Sequence, residues 1–396
     1  MYGKYAALYH FSYLSLGALT PMIGQYLKSI GFSGTQIGTI TATGTAVAII
    51  ASTFWGGVYS RCERKQVLLM MLCLSAAAVC AVFSQATLYA FVLMLFGMMY
   101  FFQAPIMSLT DAFTMESSQT FGGLRAWGAV GFAAGVFLTG ILSEYLGLKL
   151  IFIFYIGGFI MAALMIYLIR RNQKQKRYVQ TNTETQKPIC SRECRQKPQK
   201  GYRMIWKNQK LRRLILCAFF MGGTNVANNT YFSFLYIEGG GTVAGVGIAM
   251  LLMVGSEVPF MAWCEKLSRR FTLQKTILAA MTISVVRFLL YAAGLPWWLL
   301  IALFFSQGAV NGILLIEFVR YAALLAPKGN ESLAISSYYI IGSNLSTICC
   351  QLAGGVLLDA FGATGVYLFF GLFNLCGVLL YWKFRLYRRS AGDKTR

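Results

Sequence analysis

The side chains able to do chemistry in this sequence are few, because most of the chain is apolar, and they stand out for that reason. Asp111, Arg125, Glu257, Arg287, Glu317 and Arg320 fall inside or near the ends of long uncharged runs. A carboxylate beside a guanidinium grips hydroxyls or another carboxylate through paired hydrogen bonds. A carboxylate alone in apolar surroundings is suited to carrying a proton. Asp111 and Arg125 flank a short connection, so a hairpin would bring them together; the alternative is an ion pair that fixes the loop. Glu317 and Arg320 are three residues apart and share a helix face. That pair either takes part in moving a proton or is structural, with Arg320 snorkelling toward a helix end.

Uncharged polar residues add to the set. His10 is the only histidine. It neighbours Tyr5, Tyr9 and Tyr13, which are spaced by four, so this stripe lines either a wet cavity or a membrane interface. Asn225, Asn228 and Asn229 cluster in one apolar run, and Asn225 and Asn229 share a helix face. Gln307 and Asn311 are one helical turn apart in another. Amides inside a span need partners, which are other helices, water or a bound solute.

Other chemistries lack their residues. There is no Gly-x-x-x-x-Gly-Lys-Ser/Thr loop for a nucleotide, no His-Glu-x-x-His and no Gly-x-Ser-x-Gly. Cys190 and Cys194 share a basic stretch but lack two further metal ligands nearby. The chain is therefore expected to be no enzyme and to hold neither metal nor cofactor.

The elements that position these residues follow from composition. Of the 396 residues, 57% are hydrophobic and only 12% charged, too apolar for a water-soluble domain. Spanning a bilayer takes about 20 apolar residues per helix. Runs of that kind occupy Tyr5 to Leu27, Ser29 to Ser60, Gln66 to Thr110 (split near Ser84), Ala126 to Ser143 and Leu150 to Ile169. The second half repeats the pattern from Leu214 to Trp382, with breaks at Gly294-Leu295-Pro296 and Asp359. Twelve transmembrane helices are predicted, in an all-α membrane protein.

The net charge of +22 would suggest nucleic acid until the charges are placed. Fifteen of the 35 Lys and Arg lie between Arg170 and Arg213, and six from Lys383 onward. Others cluster at Arg61, Arg64 and Lys65, and at Lys266, Arg269, Arg270 and Lys275. With alternating helices all these loops share one side, while the opposite loops carry only Lys28 and Lys149. The positive-inside rule then puts both termini and the central loop in the cytoplasm, in a plasma (inner) membrane. The basic loops are expected to meet lipid headgroups rather than nucleic acid.

The chain also repeats itself. Gly140-Ile-Leu-Ser-Glu144-Tyr-Leu-Gly147 lines up with Gly355-Val-Leu-Leu-Asp359-Ala-Phe-Gly362. The basic loop after helix 2 is echoed after helix 8, and Arg61, Arg64, Lys65, Arg269 and Arg270 are its candidate gating residues. The expected organisation is a six-helix bundle over residues 1–169, a basic linker over 170–210, a second bundle over 211–387 and a tail over 388–396. Two related halves around a midplane site are the signature of an alternating-access transporter of a small molecule.

The same loop resembles the signature loop of the major facilitator superfamily, with Ser60 where the usual Asp stands. Gly31-Phe-Ser-Gly-Thr-Gln36-Ile-Gly38, Gly122-Gly-Leu-Arg125-Ala-Trp127-Gly128 and Glu257-Val-Pro259-Phe260 look like the phenylpropionate permease group, related to the lactose and nucleoside proton symporters. The resemblance implies that Asp111 and Arg125 bind substrate, with Phe132 as a stacking platform. It implies that Glu257 and Arg287 take part in proton coupling; otherwise they are a buried pair that orients two helices. His10, Tyr13, Asn225, Asn229, Gln307 and Asn311 complete the candidate substrate set, and Glu317 and Arg320 the coupling set.

The sequence departs from the sugar permease where that protein carries its proton. Gln307 and Val310 stand in place of a His and a Glu, and neither titrates. Glu317 has Arg320 one turn away, whereas Glu257 has no basic residue within a turn of its own helix. Glu257 is thus the expected proton carrier. The predicted function is proton-coupled uptake of an aromatic acid, oligosaccharide or nucleoside. The alternatives are proton-antiport efflux of drugs or sugars and a non-transporting receptor or scaffold of the same fold. Oligomeric state is not readable from the sequence.

Overall fold

A computed structural model describes residues 2–115, 121–180, 208–326 and 330–388. Cys190 and Cys194 lie outside the described residues. Every extended element among those described is helical: α1 (Tyr2–Leu19), α2 (Ile23–Ser29), α3 (Gly34–Arg61), α4 (Lys65–Phe83), α5 (Tyr89–Met115), α6 (Phe121–Leu146) and α7 (Leu150–Gln180). The second half comprises α8 (Gln209–Glu238), α9 (Val243–Phe271), α10 (Leu273–Tyr291), α11 (Trp297–Leu325), α12 (Glu331–Ser337), a π-helical stretch (Tyr338–Leu345) and α13 (Ser346–Lys383).

Among the described residues nine helices are long and apolar enough to cross a membrane by length and composition. The longest, Glu331–Lys383, breaks at Gly362, whose φ of 69° no helix permits, and so counts as two spans. The helices that complete twelve are α1 with α2, and α8. They are less apolar overall because they carry the Tyr/His stripe and the Asn cluster. Both of these spans hold candidate site residues.

Large apolar side chains such as Ile50, Leu88, Met94, Ile153 and Phe361 are exposed around the outside. Thr224, Asn228, Arg287, Gln307, Glu317 and Asn374 are buried. This inversion of the soluble pattern makes the chain an integral, multi-pass membrane protein.

Two local features differ from the sequence expectation. The first apolar run is not one helix: α1 ends at Leu19 and α2 begins at Ile23. Pro21 causes the break, since it lacks an N–H and disfavours helix in the residue before it. The run after Ser332 contains the π-helical stretch, where wider backbone spacing shifts the side chains that follow.

The halves meet through α3 against α13 and α6 against α9. Hydrogen bonds joining them lie at the end remote from the basic loops. Gln25 donates to Ser233 at 3.2 Å and Thr41 to Gln351 at 3.0 Å. A Cβ on Gly355 would come 2.5 Å from the Gly34 carbonyl oxygen, and one on Gly140 would come 2.9 Å from the Gly247 Cα. Glycine at these crossings lets the backbones touch.

The internal repeat has a role in this closure. Gly147 and Gly362 both turn the chain with positive φ, at 88° and 69°. Three residues before each sits an acid, and each acid caps a helix of the other half. Asp359 accepts from Gly34 N at 2.5 Å, Thr35 N at 2.7 Å and Thr35 Oγ1 at 2.7 Å, at the start of α3. Glu144 accepts from Ala244 N at 2.8 Å, at the start of α9. Both carboxylates meet unpaired N–H groups and the positive end of a helix dipole.

Candidate functional site

The candidate substrate-binding residues gather in two clusters, one per half, and Glu257 joins the second. In the N-terminal half α5 carries Asp111 near its end and α6 carries Arg125 near its start. The hairpin between them brings the side chains into an ion pair. Tyr9 on α1 donates to the other Asp111 oxygen at 2.7 Å, so both carboxylate oxygens are engaged. Tyr13 stacks one turn along, with ring centroids 6.3 Å from Tyr9. The α1–α6 contact is close because Gly128 leaves room for the Tyr13 ring. The Arg125 side chain stays half exposed, and Tyr339 of the opposite half lies within its electrostatic reach. The guanidinium therefore keeps donors free for a ligand while Asp111 fixes it.

His10 lies on the same helix, with its Nδ1 buried and unpartnered and its ring edge-on to Phe11 at 5.4 Å. Phe132 is half-buried against the core. Tyr9 was missed as a candidate, although its place between Tyr5 and Tyr13 signalled that it shares their face.

In the C-terminal half a cavity of about 180 Å³ is lined by Asn225, Asn229, Glu257 and Asn311, with Met221, Leu314, Leu315 and Phe318 as apolar wall. Tyr338 and Ser343 reach it from the π-helical stretch. Gln307 is buried one turn from Asn311 and donates to it at 3.2 Å. The carbonyl oxygens of Asn225, Asn229 and Gln307 have no donor among the described residues. The Glu257 carboxyl likewise makes no hydrogen bond or ion pair there. The cavity thus offers acceptors and one carboxyl, a surface suited to a ligand rich in hydroxyl or N–H groups.

Glu257 and Arg287, matched above as possible coupling partners, form no ion pair. Arg287 does not line the cavity; it is buried, over the Phe288 ring. Glu317 is fully buried, and its Oε1 accepts from Ser268 at 2.5 Å, Cys264 at 3.0 Å and Arg320 at 3.3 Å. Arg320 is half exposed. Arg61, Arg64 and Arg270 are exposed at the basic end, Lys65 sits over the Tyr59 ring at 5.0 Å, and the Arg269 side chain is outside the described set. No group of three or more metal-ligating side chains occurs among the described residues.

A polar cavity inside twelve spans arranged as two related halves is the architecture of a solute carrier, and comparison with known proteins agrees. The profile of the MFS_1 like family matches residues 2–369. The chain belongs to this family of the major facilitator superfamily. It is a transporter and not an enzyme, and its ligand is a small molecule. It is 29% identical over 391 residues to a maltose permease of Geobacillus stearothermophilus, covering 98% of this chain and 95% of the relative. It is 25% identical over 350 residues to a probable 3-phenylpropionic acid transporter of Escherichia coli (strain K12), covering 85% and 86%. Among solved structures, the nucleoside transporter NupG superposes with a TM-score of 0.80 at 14% identity, over 98% of this chain and 99% of that one. A bacterial homologue of the lysosomal transporter Spinster, in an inward-facing and unoccupied conformation, superposes at 0.72 with 11% identity, over 98% of each chain.

Proposed function

We propose that this transporter takes up a hydroxyl-rich small solute, an oligosaccharide in the first instance, by symport with protons. The observation that carries the reading is the cavity in which an unpaired Glu257 carboxyl faces Asn225, Asn229 and Asn311. Hydroxyls satisfy amide oxygens that otherwise lack donors, and leaving such groups unpaired is costly. The similarity to a maltose permease supports the same class. Asp111 and Arg125 grip the solute from the other half, with His10, Tyr13 and Phe132 beside them. A second reading, an aromatic acid, is favoured by the half-exposed Arg125 guanidinium and the relative named for 3-phenylpropionic acid.

Orientation follows from charge. The basic loops face the cytoplasm, so both termini are cytoplasmic and the protein sits in the plasma membrane with its loops against lipid headgroups. The halves, closed at the remote end, then form an inward-facing state. The bundles are residues 1–169 and 211–387, joined by the 170–210 linker, and the loops bearing Arg61, Arg64, Lys65, Arg269 and Arg270 gate the cytoplasmic side.

Glu257 carries the proton, and the Glu317–Arg320 pair and Arg287 set the electrostatics around it. Protonation removes a charge that would otherwise cross the low-dielectric interior with the solute. One charge moving through 100 mV supplies ~2.3 kcal/mol. That supports roughly 40-fold accumulation, since 1.4 kcal/mol is tenfold. The test is Glu257→Gln in proteoliposomes with labelled maltose. Counterflow exchange should persist while uphill accumulation driven by an inward proton gradient is lost. Full accumulation by the variant would sink the assignment of Glu257, and extrusion by the wild type in place of uptake would establish antiport.

A further inference from the structure

A second polar cluster in the C-terminal half, outside the cavity lining, is formed by residues of α8, α10 and the last span of α13. Its centre is Arg287. The side chain is 2% exposed and no carboxylate among the described residues pairs with it. Glu257 is unpaired in the cavity, and Glu317 is held by Ser268, Cys264 and Arg320. Of the guanidinium nitrogens only Nη2 has a partner, a long contact to Ser284 Oγ at 3.4 Å, while Nε and Nη1 have none. Ser284 is itself occupied as an acceptor from Asn374 at 2.9 Å.

The neighbouring groups are donors as well. Tyr291 is one turn along α10 from Arg287, and its hydroxyl is buried without a partner. Its ring packs against Tyr367 with centroids 5.3 Å apart. Tyr367 donates to Asn228 Oδ1 at 2.7 Å, which leaves the Asn228 Nδ2 donors buried and unpartnered. Two elements, α10 and α8, therefore bring a guanidinium, a phenol and an amide N–H₂ to one buried region, where the long Arg287–Ser284 contact is the one acceptor they have among the described residues. A buried cation without a counter-charge is among the least favourable arrangements in a protein interior.

We infer that the Arg287, Tyr291 and Asn228 cluster binds a small monovalent inorganic anion, chloride being the probe. One guanidinium with neutral donors balances a single negative charge. The Phe288 ring, 4.6 Å from the guanidinium carbon, and the packed Tyr291 and Tyr367 rings surround the cluster with aromatic carbon. Arg287 also stands off the cavity wall, so this site is separate from that of the solute and the inference does not depend on the solute's identity. A bound anion would tie α8 to α10 and stabilise the C-terminal bundle.

The experiment uses the purified full-length protein in detergent, transferred to sodium gluconate and titrated with sodium chloride at constant ionic strength. Thermal unfolding is read at each point, because a ligand that binds only the folded state raises Tm in a saturable way. A saturable rise with chloride or bromide, and none with sulfate, is expected in the wild type. Arg287→Gln should abolish it. Tyr291→Phe and Asn228→Leu each remove one neutral donor, should shift half-saturation by about 3- to 10-fold, and keep the test readable if Arg287→Gln fails to fold. A Tm independent of chloride, an equal rise with sulfate, or an unchanged titration in Tyr291→Phe and Asn228→Leu would overturn the proposal. So would a chloride response seen only in Glu257→Gln, which would make Glu257 the counter-ion of Arg287 in another state of the transporter.

Discussion

The acid caps at the closed end invite a direct perturbation, because they join the two halves and are related by the internal repeat. Asp359 accepts three hydrogen bonds from the first residues of α3, and Glu144 accepts one from the start of α9. Hydrogen bonds to a charged group contribute about 1.5–3 kcal/mol each when sheltered. Both carboxylates are exposed, so screening lowers this, and the Asp359 cap is taken as roughly 1–2 kcal/mol in total. The single Glu144 contact contributes about 0.5–1 kcal/mol. The sites are on different helix pairs, so their effects should add. In alternating access the halves separate at this end and the contacts are lost. Asp359→Ala with Glu144→Ala should then shift the ratio of closed to open by roughly 13- to 160-fold, for a sum of about 1.5–3 kcal/mol.

The assay is a distance distribution between spin labels at Lys149 and Ala293, exposed residues at this end on opposite halves, in a background freed of native cysteines. The wild type should show mainly the short distance, the double variant a dominant longer one, and Asp359→Asn an intermediate, since an amide keeps an acceptor but loses the charge. An unchanged distribution in the folded double variant would refute the reasoning, and the caps would then be ordinary surface contacts.

Two further outcomes concern the solute. Arg125→Lys should weaken ligand binding about 10-fold, because a point charge does not reproduce a planar fork, and Asp111→Asn should lose affinity with near-normal expression. Unchanged affinity in both variants, measured by calorimetry with maltose, would make the pair structural. Asn225→Leu or Asn229→Leu removes one amide from the cavity and should raise the Kd for maltose by about 3- to 10-fold. An unaltered Kd in both would move the binding surface away from α8.

Much of this protein was legible before any fold was seen. Twelve spans, their grouping in two halves and the solute-carrier architecture follow from apolar run length and repetition, because the bilayer imposes a fixed span and satisfies no backbone polar group. The Asp111–Arg125 pair was legible because a short hairpin leaves few placements for two opposite charges. The pairing of Glu317 with Arg320 followed from helical spacing.

Contacts between helices distant in sequence were decided by tertiary structure alone. Spacing along α8 and α11 suggests that Asn225, Asn229 and Asn311 face inward, but only packing puts them round one cavity with Glu257. Packing also separates Glu257 from Arg287, which sequence matching had set side by side. The repeat in the sequence marked Glu144 and Asp359 as equivalent. That each reaches across to cap a helix of the other half depends on how the halves close, and no local pattern encodes a distance between residues 325 positions apart.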